Sequence, residues 1–218
     1  MVTVLKLVIS ILMCMLVLHL TQSQELPTSK NWHTDGYVTA AKDQEPCNSC
    51  WAFVTVGIIE WFHKHVTNRL ERFSEQFLID CATGRPYLTR CRQEGGGNTV
   101  SGLLAIRDLG IPLEEEYPWI KGDQNCERPS RDKLYYRRAR FTVNTPKKAS
   151  SSKLKKLLLQ TVIGATIYIN RPNSVWDGYD GSTILKERCT AQKPNHAVLL
   201  IGFDVDPNGE EFYWIKNS

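Results

Sequence analysis

The 218-residue sequence lacks several features that would set it apart from ordinary globular proteins. It has no internal repeat, no low-complexity tract and, after residue 23, no apolar run near the ~20 residues of a membrane-spanning helix. These absences exclude a disordered tail, a collagen-like fibre and a multi-span membrane protein. A formal net charge of only +4 gives no indication of a nucleic-acid partner. The sequence also contains no Asn-x-Ser/Thr acceptor, so we expect no N-glycosylation.

The first 23 residues have the organisation of a secretory signal. A basic start precedes the apolar run Leu7–Leu20, and Thr21-Gln22-Ser23 offers small residues at the positions that a signal peptidase reads. A membrane anchor is the alternative, but this run is too short to span a bilayer and contains His19. The sequence therefore predicts a signal peptide over 1–23, with the mature protein secreted or lysosomal.

Cysteine is the first informative residue count, because a secreted chain matures in an oxidising compartment where thiols pair. Seven cysteines are present, and the first is Cys14 in the predicted signal. The other six would allow three bridges with 15 possible connectivities. If one of them is a nucleophile, one of the remaining five lacks a partner. These six residues are Cys47, Cys50, Cys81, Cys91, Cys126 and Cys189.

Hydrophobic periodicity divides the mature chain into a helical half and a strand-rich half. The patterns predict helices over about 49–66, 74–80, 100–109 and 151–160, and strands over 140–144, 162–170, 197–203 and 211–216. This order is typical of an α+β protein with a cleft between two lobes. We expect a helical lobe over about 24–130 and a strand-rich lobe over about 131–218.

Positive charge is concentrated in one segment. Residues 131–156 hold ten Lys or Arg against the single acid Asp132, whereas the rest of the chain is net acidic. A charge run of this kind is most often a solvated strand edge and helix face. The alternative is a surface for sulfated glycans or acidic lipids.

Cys50 is the first candidate for chemistry because it falls at the first turn of a predicted helix. The unpaired N–H groups and the positive dipole end at a helix start favour an anion, and we expect them to lower the pKa of this thiol. A thiolate nucleophile also needs a base and a group that orients the base. His196 opens a predicted strand, and the Asn217 amide could fix its tautomer without adding charge. The alternatives are that Cys50 is an ordinary half-cystine and His196 a core histidine.

These residues resemble the active site of the papain-like (cathepsin-type) cysteine proteases. The segment Asp43–Phe53 is similar to their signature around the nucleophile, and His196 and Asn217 follow Cys50 by 146 and 167 residues. The resemblance covers about residue 26 to the end and implies a two-lobe α+β fold, helical first and β-barrel-like second, with the active-site cleft between the lobes. Further matching segments occur in the same order: Leu26-Pro27, Asn31-Trp32, Gly36-Tyr37-Val38-Thr39, Ser74-Glu75-Gln76, Asp80-Cys81 and Gly96-Gly97.

The resemblance also implies a role for each matched residue. Cys50 would attack a peptide carbonyl, His196 would protonate the leaving amine, and Asn217 would orient His196. The Gln44 side chain and the Cys50 backbone N–H would form an oxyanion hole. The implied substrate-binding residues are Gly96, Gly97, Asn48 and Asn195. The implied disulfides are Cys47–Cys91 and Cys81–Cys126, and the family partner of Cys189 lies beyond Ser218.

The function that follows is a cysteine endopeptidase that acts through a thioester, without a metal or cofactor. It would be a monomer that cleaves peptides or proteins and is open to cystatin-like inhibitors. Glu45 and Asn48 stand where the family has glycine, and the sequence shows neither the family's propeptide nor its last strand. A catalytically inactive homologue, peptide-binding or non-functional, is therefore the alternative. The Cys47-x-x-Cys50 spacing leaves a thiol–disulfide oxidoreductase as a third reading, which would require a reversible bridge between these two residues.

Overall fold

The computed structural model describes residues 26–82, 91, 97–140, 142–143, 145, 149–170, 176, 178–186 and 192–218. The predicted signal over 1–23, together with Gly96 and Cys189, lies outside the described residues. The described helices are α1 (Cys50–Thr67), α2 (Glu75–Cys81), α3 (Thr99–Leu109) and α4 (Ser151–Leu158), with a single 3-10 turn at Arg131–Lys133. The described strands are β1 (Lys30–Asn31), β2 (Ile163–Ile167), β3 (His196–Val205) and β4 (Glu211–Lys216).

Helix α1 forms the centre of the molecule and is buried on most of its circumference. One side carries Trp51, Val56 and Ile59 into a core shared with α2 and α3. The other side carries Val54 and Trp61 into a second core with the buried residues of β3. A helix that is apolar nearly all round must be enclosed by its neighbours, and α1 accordingly joins the helical half to the sheet.

The sheet is antiparallel, with β3 at its centre. β4 pairs along one edge of β3, while β2 and β1 share the other edge, β2 beside His196–Leu200 and β1 beside Gly202–Phe203. The two-residue strand β1 comes from the polar N-terminal segment, where the sequence predicts no strand. Gly202 permits this pairing, because a Cβ at this position would lie 1.9 Å from the carbonyl oxygen of Lys30.

The predicted strand over 140–144 is wrong in its described part, since Arg140, Thr142 and Val143 belong to no strand. Arg138, just before it, has a φ of 62°, which turns the chain out of the extended conformation. Val143 packs instead against the helical core. Val143 is therefore used for burial without any ladder pairing.

Two disulfides tie loops to the helical half. Cys47, just before α1, is bonded to Cys91, and Cys81, the last residue of α2, is bonded to Cys126. These are the two pairings that the resemblance implied. Cys50 is the free cysteine of the described residues. The predicted α+β class is confirmed by this combination of a helical half with an antiparallel sheet.

Candidate active site

Cys50 is the first residue of α1, and its side chain is half-buried between the helix and the sheet. The backbone N–H of Ala197, which directly follows His196 at the start of β3, lies near enough to the sulfur to favour a thiolate there. The thiol therefore lies where the start of α1 meets the start of β3. Ser49 is the N-cap residue of the helix, with its hydroxyl buried.

Burial raises the pKa of the Cys50 thiol above its ordinary value, and the backbone N–H groups of Ala197, Trp51 and Cys50 itself offset only part of this effect. The sequence-based expectation of a lowered pKa is wrong in this structure. It considered the helix start alone, whereas the sheet packed over the sulfur removes water that would solvate a thiolate. A thiolate at this position consequently needs a cation beside it.

His196 is bonded to Asn217. The ring nitrogen Nε2 of His196 lies 2.7 Å from Oδ1 of Asn217, across 21 residues of sequence. Because an amide oxygen accepts, Nε2 carries the proton in this pair, which leaves Nδ1 as the nitrogen for proton exchange. The bond fixes both the tautomer and the plane of the imidazole.

Gln44 is buried immediately upstream of the Cys47–Cys91 bridge. Its Nε2 donates to the carbonyl oxygen of Cys47 at 2.7 Å, and its Oε1 accepts from the hydroxyl of Ser218 at 2.8 Å. These two bonds hold the amide in one orientation. One N–H of Nε2 is left for a further acceptor, since a primary amide carries two.

A buried network joins Lys216, the residue before Asn217, to Thr39 and Glu60, and sequence reasoning missed it. Lys216 donates to Oγ1 of Thr39 at 2.7 Å and lies 3.5 Å from Oε2 of Glu60, which also accepts from Thr39 at 2.6 Å. Glu60 is 1% exposed, on a helix whose buried face is otherwise mostly apolar. That isolated acid was the available signal, because a buried carboxylate needs a positive partner.

The implied substrate-binding residues differ in their surroundings. Gly97 lies against Trp51, and a Cβ on Gly97 would come within 2.3 Å of the indole ring, so a side chain would not fit there. Asn48 is exposed and donates its backbone N–H to the carbonyl of Cys91 at 2.8 Å.

Asn195 has a structural role that the sequence did not predict. Its side chain accepts from the backbone N–H of Ile169 at 2.8 Å and donates to the carbonyl of the same residue at 2.9 Å. These bonds continue the β2–β3 pairing beyond its last ladder residue. The amide of Asn195 is thus held against the chain next to His196, and contact with a substrate through this amide would have to coexist with both bonds.

The third reading, a thiol–disulfide oxidoreductase, disagrees with the cysteine pairing. Such an enzyme needs a reversible bridge between Cys47 and Cys50. In the structure Cys47 is bonded to Cys91, and Cys50 is free. Within the part of the chain that the structure describes, no group of three His, Cys, Asp or Glu residues could hold a metal ion.

Comparison with known proteins gives the family. Residues 26–218 match the papain family of cysteine proteases. The chain belongs to this family. It is 32% identical to digestive cysteine proteinase 1 of Homarus americanus over 88% of the chain and 57% of that protein, and 28% identical to human cathepsin L2 over 89% and 57%. The chain thus spans little more than half the length of these curated relatives.

Solved papain-family structures share the fold. Bromelain from Ananas comosus, in complex with the inhibitor E64, superimposes with a TM-score of 0.69 at 26% identity, covering 88% of the chain and 83% of bromelain. Digestive procathepsin L 3 of Tenebrio molitor gives a TM-score of 0.72 at 25% identity, covering 91% and 62%. The papain-like fold implied by the sequence is confirmed.

Among the described helices none is both long and apolar enough to cross a bilayer.

Proposed function

We propose that this chain is a cysteine endopeptidase in which Cys50 is the nucleophile, His196 the acid and base, and Asn217 the residue that orients the imidazole. The observation that carries the proposal is the 2.7 Å bond between His196 Nε2 and Asn217 Oδ1. The free thiol of Cys50 supports it, because the backbone N–H of Ala197, the residue after His196, favours its thiolate. A nucleophile, a base and a group that orients the base are the three parts that covalent catalysis by a thiol requires.

The raised pKa of Cys50 assigns a specific task to His196. Burial disfavours an isolated thiolate, so proton transfer from Cys50 to His196 would create an ion pair in which each charge stabilises the other. Asn217 would stabilise the imidazolium without neutralising it, because an amide carries no charge. The buried pair Lys216–Glu60 would hold the strand end that presents Asn217.

The reaction would proceed in two stages. The sulfur of Cys50 attacks the peptide carbonyl carbon, the carbon–nitrogen bond breaks, and His196 gives its proton to the departing amine. Water then attacks the thioester and gives a proton to His196, the carbon–sulfur bond breaks, and the thiol is restored. The Cys50 backbone N–H and the second N–H of Gln44 would stabilise the oxyanion, at about 2.7–4 kcal/mol per donor.

E64 tests the proposal, because bromelain is solved in complex with this inhibitor. The full chain would be incubated with E64 at pH 5.5 and the adduct located by mass spectrometry. We expect one adduct, on Cys50, and its loss in His196→Ala. His65→Ala is the matched control, since His65 is exposed at the far end of α1.

An unlabelled Cys50, or labelling that persists in His196→Ala, would contradict the proposed roles. An internally quenched peptide distinguishes endopeptidase from exopeptidase activity, because only the former cleaves with both ends blocked. A folded chain that binds peptides without labelling would support the inactive alternative, in which Asn48 projects into the substrate path and the negative charge of Glu45 weakens the oxyanion hole.

The proposed substrates are peptides or proteins, and the proposed inhibitors are cystatin-like proteins, because these fit an enzyme of the papain family. We further propose that residues 1–23 are a signal peptide, which places the mature chain in the secretory pathway, either secreted or lysosomal. N-terminal sequencing of the secreted protein tests this, with Gln24 expected as the first residue.

A further inference from the structure

A second concave surface, unrelated to the thiol, lies at the other end of α3. It is a cavity of about 620 Å³, and four of its lining residues are arginines. We call it the arginine pocket and define it by Arg107, Arg137, Arg138 and Arg140. Helix α3 begins two residues after Gly97 and carries Arg107 in its last turn, so about 12 Å of helix lies between the Gly97 end and the pocket.

The loop that carries three of these arginines is fixed to the end of α3. The backbone N–H of Arg138 donates to the carbonyl of Arg107 at 2.6 Å, and Tyr135 and Ile111 exchange two backbone hydrogen bonds of 2.9 Å. Gly110 allows this approach, because a Cβ there would lie 2.8 Å from the Cβ of Leu134. The folded backbone therefore holds the four arginines around one cavity.

The positive charge of the pocket is largely uncompensated. Arg107 pairs with Asp108 at 3.1 Å, whereas Arg137, Arg138 and Arg140 make no ion pair with any described residue. The C-terminal end of α3 supplies only about half a negative charge. The described lining residues thus carry a net charge of about +2.5 in a concave space, where like charges repel one another and favour an anionic occupant.

The lining chemistry selects among anionic partners. Guanidinium groups bind sulfate and phosphate oxygens through paired hydrogen bonds. Among the described residues that line the cavity, Ala139 is the apolar one and none is aromatic, so these residues offer little apolar surface to enter a membrane and no ring to stack on a nucleic-acid base. A cavity of this size also exceeds a single inorganic anion, which favours a polymer that carries several such groups.

We propose that the arginine pocket binds the sulfate groups of a sulfated polysaccharide. The proposal does not depend on peptidase activity. The full chain would be titrated calorimetrically with a heparin hexasaccharide at 50 mM NaCl, and the combined change of Arg137, Arg138 and Arg140 to Ala is expected to weaken binding at least tenfold. The plot of log affinity against log salt should lose about two units of slope, because fewer counterions are released.

The matched control removes the same three charges elsewhere, by changing Arg128, Lys153 and Lys156 to Ala, and is expected to weaken binding less than threefold. Arg138→Lys keeps the positive charge but removes the bidentate hydrogen bonding of the guanidinium, so we expect a loss of affinity between those of the two triple variants. Single Arg→Gln changes at 137, 138 and 140 repeat the test if the triple variant does not fold.

Equal weakening in the two triple variants would overturn the proposal in favour of net charge alone. Equal binding of a desulfated hexasaccharide would overturn it, as would tighter binding to phosphatidylserine vesicles. E64 labelling of Cys50 is measured on the same variants and is expected to be unchanged, so that failure of this proposal is separable from failure of the proposed peptidase function.

Discussion

Acidification should stabilise this protein through one buried carboxyl group, that of Glu75. Glu75 is the first residue of α2 and is 2% exposed. Lys42 lies 2.7 Å from its Oε2. Burial, together with the nearby charge of Glu60, nevertheless raises the pKa of Glu75 to about 7, because Lys42 offsets only part of these effects. Lys42 also lies 3.1 Å from Glu114.

The magnitude follows from the two pKa values of Glu75, which are 4.5 as the ordinary value and about 7 in the folded chain. Below pH 4.5 the group is neutral in both states and its stability contribution is fully present. As the pH rises through 7, the unfolded chain releases this proton more readily, and the contribution is lost. One pKa unit is worth about 1.4 kcal/mol, so the loss is about 3 kcal/mol between pH 4.5 and 7.5.

Glu75→Gln removes the titration while keeping a neutral side chain of similar shape. Urea unfolding would be followed by tryptophan fluorescence from pH 4.5 to 7.5, in a Cys50→Ser background that prevents self-digestion. The free energy of unfolding of the parent minus that of the variant should fall by about 3 kcal/mol over this range. With ordinary urea dependences this corresponds to a relative midpoint shift of about 1 M or more.

The subtraction isolates Glu75 from groups of opposite sign. Burial lowers the pKa of His63, so protonation of His63 reduces the free energy of unfolding as the pH falls. This effect is common to parent and variant and cancels in the difference. Glu115→Gln, at an exposed position, is the matched control and should give a flat difference. A difference for Glu75→Gln that stays within 1 kcal/mol, or rises with pH, would refute the reasoning, since Lys42 would then keep Glu75 ionised.

Two further predictions concern packing and catalysis. Gly202→Ala places a Cβ 1.9 Å from the carbonyl oxygen of Lys30 in β1, which forces β1 away from β3. The free energy of unfolding should fall by about 1–3 kcal/mol, which calorimetry would detect as a fall in Tm of about 3–9 °C. A Cβ on Gly122 would lie 3.9 Å from the carbonyl oxygen of Ile120, an ordinary contact, so Gly122→Ala should change Tm by less than about 2 °C. Equal losses of Tm in the two variants would contradict the explanation. Ser218→Ala removes the donor to Gln44 Oε1 and should lower kcat on a fluorogenic peptide about three- to tenfold with KM unchanged. A rise in KM alone would show that Gln44 contacts the substrate rather than the oxyanion.

Local pattern was sufficient to predict most of the helices and strands. The apolar repeat that begins at Ser49 predicts α1 within one residue at each end, and the short helix at 151–160 is found as Ser151–Leu158. The strand β1 was missed because two polar residues are too few to show the alternation of apolar and polar side chains by which strands are predicted. It forms only because Gly202, more than 170 residues later, leaves room for the backbone of Lys30.

Electrostatics was the less predictable part of the site, because it depends on what the fold packs around each group. The pKa of Cys50 is raised by the loss of water around the buried sulfur, and the backbone N–H of a sheet residue, Ala197, opposes this rise only in part. The pKa of Glu75 follows from burial and from Glu60 in another helix. A sequence identifies the titrating residues and their local helix positions, but not the solvent that folding removes from them.

The end of β4 explains how residues so distant in sequence form one site. Lys216 is the last residue of β4, and Asn217 and Ser218 follow it directly. Lys216 bonds Thr39 and Ser218 bonds Gln44, both in the segment that leads into α1, whereas Asn217 bonds His196 on β3. The same three residues thus fasten the sheet to the helical half and orient the imidazole. Loss of the Lys216–Thr39 or the Ser218–Gln44 hydrogen bond should therefore shift Asn217 and weaken its bond to His196, although neither lost bond involves these two residues. Lys216 and Ser218 are in this sense positioning residues for the proposed catalysis.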